Sequence, residues 1–349
     1  MKNLKPIIGI TMGDPAGIGP EIILKALKYD SVYKWCLPVV IGKYEIFKKL
    51  NSMIKVNKKL QLINDLQNLK HDPSTIYILD IQTDIDVQKI EMGKISPIAG
   101  ELSYKSIIKS IELALSNKIH AVTTAPVSKE AINLAGYKFQ GHTEIFAELT
   151  NSKKYAMLLI YKNLKVAHVS THVPLKVACD LVKKDRVIDV IELLHQACIN
   201  FGIKKPKLAV AGLNPHAGEN GLLGEEEIKE IIPAIQIARE KNITVDGPFP
   251  PDTVFSLAIN GMYDGIVAMY HDQGHIPLKT IAFKWDKKKG KMKSVKGVNI
   301  TIGLPIIRTS VDHGTAFDIA GKNLASEEAM LNAIKYASIM AKNKIKYNI

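Results

Sequence analysis

Cysteine is scarce in this 349-residue chain, which contains only Cys36, Cys179 and Cys198. The three are far apart, odd in number and form no C-x-x-C pair. This pattern argues against a disulfide framework and against a cysteine zinc site. A reducing, cytoplasmic location is therefore expected.

Long apolar runs are also missing. No stretch reaches the roughly 18 uncharged apolar residues that mark a membrane-spanning helix. The first apolar run, residues 6–12, is short and lacks a small-residue cleavage site after it, so no secretory signal is expected. Apolar residues nevertheless make up 46% of the chain, enough for a sizeable core. The length suits about two domains or one large α/β unit.

Arginine and aromatic residues are rare as well. The formal net charge of +13 would suit a nucleic-acid partner, but lysine supplies all but three of the 47 basic residues and aromatics are only 6%. Nucleic-acid readers favour forked arginine donors and interleaved aromatic rings. Scattered lysines instead indicate a solvated surface that attracts anionic substrates. Neither nucleic acid nor a membrane is an expected partner.

Short β-rich runs alternate with helical patterns along the chain. This alternation predicts an α/β fold with a largely parallel sheet covered by helices. Strands are predicted at 6–11, 38–42, 121–124, 155–160, 165–170, 207–213, 265–269 and 298–302. Helices are predicted at 21–27, 44–51, 103–117, 186–201, 225–241 and 326–342.

One segment interrupts an otherwise apolar region. Residues 283–296, FKWDKKKGKMKSVK, include seven lysines. A solvated hairpin or loop is one interpretation of this composition. A basic flap near an anionic ligand is the other, because candidate substrate residues stand on both sides of the segment.

A glycine-rich loop, GDPAGIGPE (13–21), follows the first predicted strand. It does not match G-x-G-x-x-G, because Ile22 stands at the last glycine position. The glycines still permit a tight turn and a close backbone approach to a ligand. A plain strand-to-helix turn is the alternative.

The sequence GHTE (141–144) precedes a predicted helical run at 145–149. Thr143 is expected to cap that helix, whose free N–H groups would face an anion. His142 beside it would add a charge-assisted donor. Capping alone is the alternative.

Three histidines stand at or just after predicted strand ends: His172 in STHVPL, His216 in GLNPHAGE and His271 in MYHDQGH. Imidazoles bind divalent transition metals, and three of them leave positions open for substrate oxygens. His168 is set aside because on a strand it would lie ~13 Å from His172, at ~3.3 Å per residue. His275 is also expected not to be a ligand.

Arg308 and a final glycine loop complete the candidates. Arg308 lies beside an apolar stretch, and a partly buried guanidinium needs anions around it. A phosphate or carboxylate ligand would serve, as would an internal salt bridge. The loop DHGTAFDIAGK (312–322) has the glycine and polar residues of a nucleotide loop, although this signal is weak by itself.

Taken in order, these motifs resemble the 4-hydroxythreonine-4-phosphate dehydrogenase (PdxA) family. The resemblance is carried by ITMGDPAGIGPE, GHTE, TH-x-PL, GLNPHAGE, GPFPPDT, YHDQG, GVNIT-x-GLP and RTSVDHGTAFDIAGK, and spans about residues 7–340. The first and last motifs are also similar to GDGIGPE and HGSAPDIAGK of isocitrate and isopropylmalate dehydrogenases. The resemblance implies two α/β/α domains with a central cleft: residues 1–128 with 303–349 on the nucleotide side, and 129–302 on the metal and dimer side.

The resemblance also assigns roles to individual residues. It implies a homodimer with a shared active site, in which His271 is the ligand usually supplied by the partner subunit. The implied metal ligands, for zinc, magnesium or cobalt, are His172, His216 and His271. The implied substrate-binding residues are His142, Thr143, Lys279, Asn299 and Arg308. Asp252, Asp272 and Lys279 are the candidate catalytic residues, and Asp14, Gly17, His313, Gly314, Thr315 and Asp318 are the candidate NAD or NADP contacts.

The implied reaction is oxidation and decarboxylation of 4-phosphooxy-L-threonine to 3-amino-2-oxopropyl phosphate in pyridoxal phosphate biosynthesis. The segment GHIPLK after HDQ is similar to a sister subfamily that acts on 4-phospho-D-threonate or 4-phospho-D-erythronate. The long lysine-rich insert is a further departure from the shorter enzymes of vitamin B6 synthesis. Both substrates remain open on the sequence. A three-histidine metal hydrolase is a competing hypothesis that leaves DHGTAFDIAGK unexplained.

Overall fold

The structure, a computed structural model, describes residues 5–67, 69–139, 141–286 and 291–347. Of 284–286 and 291–295 it describes the backbone alone. The chain forms two compact units. The first consists of two segments of the chain, one that ends at Lys153 and one from Leu304 to Lys346. The second runs from Lys154 to Gly303.

The first unit contains a wholly parallel sheet. Its strand order is β3-β4-β2-β1-β5-β14. Four of its strands, β1, β2, β5 and β14, are buried along nearly their whole length, as expected for parallel strands covered on both faces. The strands are β1 (Ile7–Thr11), β2 (Leu37–Gly42), β3 (Lys59–Ile63), β4 (Thr75–Asp80), β5 (Ala121–Thr124) and β14 (Arg308–Val311).

Helices connect and cover these strands. They are α1 (Gly19–Leu27), α2 (Asp30–Trp35), α3 (Tyr44–Ile54), α4 (Pro97–Leu115), α5 (Lys129–Leu134), α6 (His142–Leu149) and α12 (Glu328–Tyr347). Short 3-10 turns occupy Val87–Lys89 and Phe317–Ile319. The apolar core of this unit includes Val39, Ile107 and Val122.

The second unit has a mixed sheet of order β13-β6-β7-β10-β8-β9. The pairs β13–β6 and β6–β7 are antiparallel, and the pairs from β7 through β9 are parallel. The strands are β6 (Ala156–Tyr161), β7 (Leu164–His168), β8 (Lys207–Ala211), β9 (Thr244–Phe249), β10 (Gly265–Ala268) and β13 (Val298–Ile302). Its core includes Val166, Ile266 and Leu278.

The helices of the second unit are α7 (Leu175–Asp180), α8 (Lys184–Asn200), α9 (Ile232–Glu240), α10 (Val254–Ile259) and α11 (His271–Ala282). A π-helix, Glu227–Ile231, leads directly into α9. An antiparallel pair, β11 (Phe283–Asp286) and β12 (Lys291–Val295), occupies most of the lysine-rich insert. This pairing fits the hairpin interpretation, while residues 287–290 lie outside the described residues.

The predicted α/β class is confirmed, and several bounds differ. The helix predicted at 103–117 begins at Pro97, because the Ser96 side chain accepts a hydrogen bond from Ala99 N and proline suits the first helical position. The division between units falls later than the predicted boundary at 128/129. Residues 129–153 lie in the first unit because α5 packs tightly on α4: a Cβ on Gly100 would stand 1.9 Å from Ala131 O.

In the part of the chain that the structure describes, every helix is too short or too polar to cross a membrane.

Candidate functional site

The three predicted metal-ligand histidines follow three neighbouring parallel strands of the second unit. His172 lies in the loop after β7, His216 in the turn after β8, and His271 is the first residue of α11, after β10. These strands are adjacent in the order β7-β10-β8, and their carboxyl ends share one edge of the sheet. That edge is where α/β sheets bind ligands.

His172 and His271 stand close together. Their ring centroids are 5.6 Å apart, and both line a cavity of about 370 Å³ with Thr171, Tyr270 and Asp272. His271 Nδ1 lies 2.6 Å from Asp272 Oδ1, and this contact lowers the pKa of the Asp272 carboxyl. The carboxylate thereby fixes which ring nitrogen of His271 is available to a ligand.

His216 is placed differently. Its side chain is 62% exposed, and its Nδ1 lies 2.5 Å from Glu219 Oε1 on the same turn. Within the described ranges, no group of three or more His, Cys, Asp or Glu side chains is placed to hold one metal ion. The structure therefore brings together two of the three predicted ligands and leaves His216 outside that group.

Behind His271 lies a row of further imidazoles. His275 stacks on His271 with centroids 3.6 Å apart, and His168 lies 4.9 Å beyond His275. Burial lowers the pKa of His275 to about 3 and that of His168 to about 4, so both rings are neutral near pH 7. They lie on the core side of His271, and that neither is a ligand stays a prediction.

The other residues predicted in the second unit, Lys279, Asn299 and Asp252, lie on separate elements. Lys279, on α11, places Nζ 5.7 Å from the Phe283 ring centroid. Asn299, on β13, has a buried Oδ1 without a hydrogen-bond partner in the described part of the chain. Asp252 is exposed in the turn before α10.

In the first unit, Arg308 is buried at the start of β14 and is 2% exposed. It donates a hydrogen bond from Nη2 to Thr124 Oγ1 at 2.8 Å, and its guanidinium carbon lies 5.4 Å from the Phe146 ring centroid. Burial lowers the pKa of Arg308, and the Glu144 carboxylate opposes that shift. Arginine keeps its charge at physiological pH, so this is a buried cation suited to an anion.

His142 and Thr143 lie in the first turn of α6. Burial lowers the pKa of His142 well below its usual value, with a further contribution from the Arg308 charge, so the ring is neutral. His142 Nε2 is buried and has no hydrogen-bond partner among the described residues. The prediction that Thr143 caps the helix is wrong. The helix begins at His142, so its N-cap is Gly141, which makes no side-chain cap bond.

The two loops predicted to bind the nucleotide are packed against each other. Ile18 N donates to Thr315 O at 3.0 Å, and a Cβ on Gly17 would lie 2.9 Å from the same oxygen. Gly17 is therefore required by close backbone packing between these loops. They follow β1 and β14, which lie on either side of β5 in the sheet of the first unit.

Asp14 is fully buried in the first of these loops. Its Oδ1 accepts a hydrogen bond from Ala16 N at 2.9 Å, and its Oδ2 is buried without a partner among the described residues. Burial raises the pKa of Asp14 to about 6, although backbone hydrogen bonds oppose the shift. The carboxyl group is thus poised to be either ionised or protonated near neutral pH.

The remaining residues of the last loop are more open. His313 Nδ1 lies 3.1 Å from Gly314 O, and burial lowers the pKa of His313. Gly314 and Asp318 are exposed, and a Cβ on Gly314 would meet no atom of the described residues within 4 Å. Their position beside Thr315 is compatible with a cofactor contact, which remains a prediction.

A family model described as "Pyridoxal phosphate biosynthetic protein PdxA" matches residues 34–337. The chain belongs to the PdxA family.

Curated PdxA relatives match along almost the whole chain. A protein of Oceanobacillus iheyensis named putative D-threonate 4-phosphate dehydrogenase is 47% identical over 341 residues, covering 97% of this chain and 99% of that protein. A protein of Salmonella typhimurium named D-threonate 4-phosphate dehydrogenase is 48% identical over 335 residues, with 96% and 98% covered.

Solved PdxA structures have the same fold. The 4-hydroxythreonine-4-phosphate dehydrogenase of Klebsiella pneumoniae superimposes with a TM-score of 0.85 at 42% identity, covering 96% of this chain and 99% of that one. A putative 4-hydroxythreonine-4-phosphate dehydrogenase of Salmonella typhimurium gives a TM-score of 0.87 at 46% identity, with the same coverage.

Some residues of this PdxA-family site were not predicted from the sequence. Gln273 accepts from Met269 N at 2.7 Å and donates to Gly212 O at 2.8 Å, which ties the first turn of α11 to the ends of β10 and β8. Gly274 gives His168 its space, because a Cβ there would lie 2.3 Å from His168 Nε2. Gly274, which directly follows HDQ, was the feature of the sequence that could have indicated this close packing.

Proposed function

We propose that this PdxA-family protein is an NAD-linked, metal-dependent dehydrogenase that oxidises and decarboxylates D-threonate 4-phosphate. The observation that carries the proposal is the 48% identity, over nearly the full length of both chains, to a relative named for that activity. The neighbouring imidazoles of His172 and His271 and the buried guanidinium of Arg308 are groups that such a reaction needs.

The buried cation suits one anionic group of the substrate. Arg308 offers a planar fork of donors, and its charge is only weakly screened because it is 2% exposed. His142 lies beside it, and its orphan Nε2 would be satisfied by a phosphate or carboxylate oxygen. Thr143 adds a hydroxyl in the same turn. Lys279 and Asn299 of the second unit remain proposed substrate-binding residues.

The donor chemistry suits a transition metal. Imidazole nitrogens favour Zn²⁺ or Co²⁺, whereas Mg²⁺ prefers oxygen ligands. His172 and His271 would supply two ligands and His216 the third. A bound metal would polarise the substrate hydroxyl and the carbonyl that replaces it, and NAD or NADP would accept the hydride.

A homodimer would complete such a site. His172 and His271 are neighbours within one chain, and no group of three or more ligand side chains is placed to hold a metal ion in the described part of one chain. A histidine from the other subunit, His271 in the arrangement that the family resemblance implies, would complete the set. Exposed apolar side chains next to His172 support a subunit contact there. These are Val173, Leu175, Val177 and Leu181, which are 38% to 61% exposed.

The chain's acidic and basic groups would handle protons and orientation. Asp272 orients His271 through its contact with Nδ1. Lys279, about two turns further along α11, is the proposed proton-handling cation, and Asp252 is the second proposed carboxylate. Asp14, Gly17, His313, Gly314, Thr315 and Asp318 are the proposed cofactor contacts.

A second candidate substrate is 4-hydroxythreonine 4-phosphate, which carries an amine where D-threonate 4-phosphate carries a hydroxyl. The two proteins of solved structure that are 42% and 46% identical are named for this activity. That substrate would place the protein in pyridoxal phosphate biosynthesis rather than in sugar-acid breakdown. The cytoplasmic location expected from the cysteines suits either role.

The deciding experiment measures NADH formation at 340 nm with each substrate, with NAD and with NADP. Each assay is repeated after chelation and after adding back Zn²⁺, Co²⁺ or Mg²⁺. We expect the larger kcat/KM for D-threonate 4-phosphate, loss of activity on chelation and recovery with Co²⁺ or Zn²⁺. Unphosphorylated D-threonate is the control for the anion site. Turnover of neither phosphorylated substrate would overturn the proposal.

A further inference from the structure

The turn that carries His216 has an unusual backbone. Residues 216–221 all have positive φ, and four of them are not glycine: His216, Ala217, Glu219 and Asn220, with φ between 43° and 55°. Left-handed conformation costs a non-glycine residue about 1–2 kcal/mol. Such a run persists only where its surroundings hold it.

Glu227 anchors the start of this turn by hydrogen bonds. Its carboxylate is buried, with the residue 2% exposed. Oε1 accepts hydrogen bonds from Leu213 N and Asn214 N, both at 2.8 Å, and Oε2 accepts one from Asn214 Nδ2 at 2.9 Å. All three donors belong to the two residues that lead into the turn, so the carboxylate fixes the direction in which the turn leaves β8.

The backbone of this segment also packs closely against the Glu227 carboxylate. A Cβ on Gly218 would stand 2.7 Å from Glu227 Oε2, and one on Gly212 would stand 3.1 Å from Oε1. The backbone therefore approaches Glu227 at two points, before the turn at Gly212 and within the turn at Gly218. Asn214 O accepts a hydrogen bond from Ala217 N at 3.1 Å. Asn214, which Glu227 holds, is thereby bonded to the residue directly after His216.

Glu227 stands at a second unusual feature, since it is the first residue of the π-helix Glu227–Ile231. π-turns are rare and occur frequently at functional sites. The left-handed turn and the π-helix are thus joined by one buried carboxylate, and the turn carries the proposed metal ligand His216.

We propose that Glu227 is a positioning residue that holds the left-handed turn so that His216 is presented to a divalent metal. This inference rests on the proposed function, in which His216 is a ligand. A carboxylate is needed because it only accepts, and all three of its partners donate. Glutamine would direct an NH₂ group at one of those donors.

The neighbouring Glu226 provides a matched control. Its Oε2 accepts from the same Asn214 Nδ2 at 2.7 Å, whereas the Leu213 and Asn214 N–H groups donate to Glu227. Glu226→Gln therefore removes the same charge one residue away and leaves the backbone anchor intact.

The experiment compares wild type, Glu227→Gln and Glu226→Gln in two measurements on the full chain. Hydrogen–deuterium exchange follows the segment 212–223, and calorimetric titration gives the affinity for Co²⁺ alone. We expect Glu227→Gln to exchange faster at 212–223 and to bind Co²⁺ at least about tenfold more weakly, as loss of groups that orient metal ligands does. Glu226→Gln should match wild type in both.

Gly218→Ala tests the same contact if Glu227→Gln does not fold, because its methyl group would push on the carboxylate from the turn. It should weaken Co²⁺ binding in the same direction. Unchanged exchange and unchanged Co²⁺ affinity in Glu227→Gln, or in Gly218→Ala where that variant is used, would overturn the inference. Failure of the proposed function looks different: wild type itself would not bind Co²⁺, whatever the exchange data show.

Discussion

The imidazole rings of His271 and His275 stack with centroids 3.6 Å apart and planes inclined by only 12°. The i,i+4 spacing on α11 brings the rings together, and His275 Nδ1 lies 2.9 Å from His271 O. His275 is 5% exposed, so its ring is a fixed support rather than a mobile neighbour. It lies in the segment GHIPLK, residues 274–279, which follows HDQ.

From this stack we predict that His275→Ala weakens Co²⁺ binding and lowers kcat, each by about tenfold, because His271 loses the ring that fixes its orientation. His275→Phe keeps a flat ring and should retain most of the affinity. Calorimetry with Co²⁺ and NADH formation measure the two effects. Equal losses in both variants would show that the Nδ1 contact matters and the stacking does not.

His216→Ala should abolish turnover and leave the fold intact, because the side chain is 62% exposed and its Nδ1 contact with Glu219 stays within one turn of the chain. Activity and circular dichroism test the two parts. His195→Ala, in α8 of the same unit, is the control and should keep activity. Full activity in His216→Ala would contradict its assignment as a ligand.

Local patterns predicted what lies within a short stretch of chain. β5 and β13 have the predicted bounds, because each is a short run rich in the β-branched residues valine, isoleucine and threonine. The three histidines were correctly placed after parallel strands. The predicted helix 225–241 is instead a π-helix followed by α9, beginning at Glu227. Nothing in helical periodicity marks one widened turn.

What the sequence did not predict depends on contacts between distant residues. The left-handed turn at His216 is held by Glu227, 11 positions later, and residue preferences alone disfavour four of its positive φ values. Likewise, Gln273 joins Gly212 across 61 positions. Such pairings are decided by strand order and packing, which one sequence does not specify residue by residue.

Arg308→Lys should raise KM for the phosphorylated substrate by about tenfold or more, equivalent to at least about 1.4 kcal/mol of binding. Lysine keeps the charge but not the planar fork, and it gives up the contact with the Phe146 ring. Steady-state kinetics separate KM from kcat. A lysine variant with wild-type KM would mean that Arg308 holds an internal partner rather than substrate.

Asp14 should make the protein more stable as pH falls from 7 towards 4. Its pKa is about 6 in the folded protein and near 3.8 when unfolded, so the folded state binds the proton first. Above pH 6 the fold buries an ionised carboxylate at a cost of up to about 3 kcal/mol. Urea unfolding at several pH values should show the stability gap between Asp14→Asn and wild type shrinking towards pH 4. A pH-independent gap would contradict the shift.

The buried pair of Glu21 and Lys25 ties α1 to the segment before α12. Glu21 Oε1 accepts from Lys25 Nζ at 2.8 Å and from Ala325 N at 2.9 Å, and Lys25 Nζ also donates to Ala325 O at 2.8 Å. Glu21→Ala leaves a nearly buried ammonium without its counter-charge and should lower the free energy of unfolding by about 3–5 kcal/mol.

Replacing both members of this pair with methionine should recover much of that loss, because no charge then remains uncompensated. The exposed pair Glu91–Lys94 is the matched control: its side chains are 66% and 68% exposed, so Glu91→Ala should change stability by less than about 1 kcal/mol. Urea unfolding of the four proteins measures both contrasts. Similar losses in Glu21→Ala and Glu91→Ala would mean that burial does not govern the strength of the inner pair.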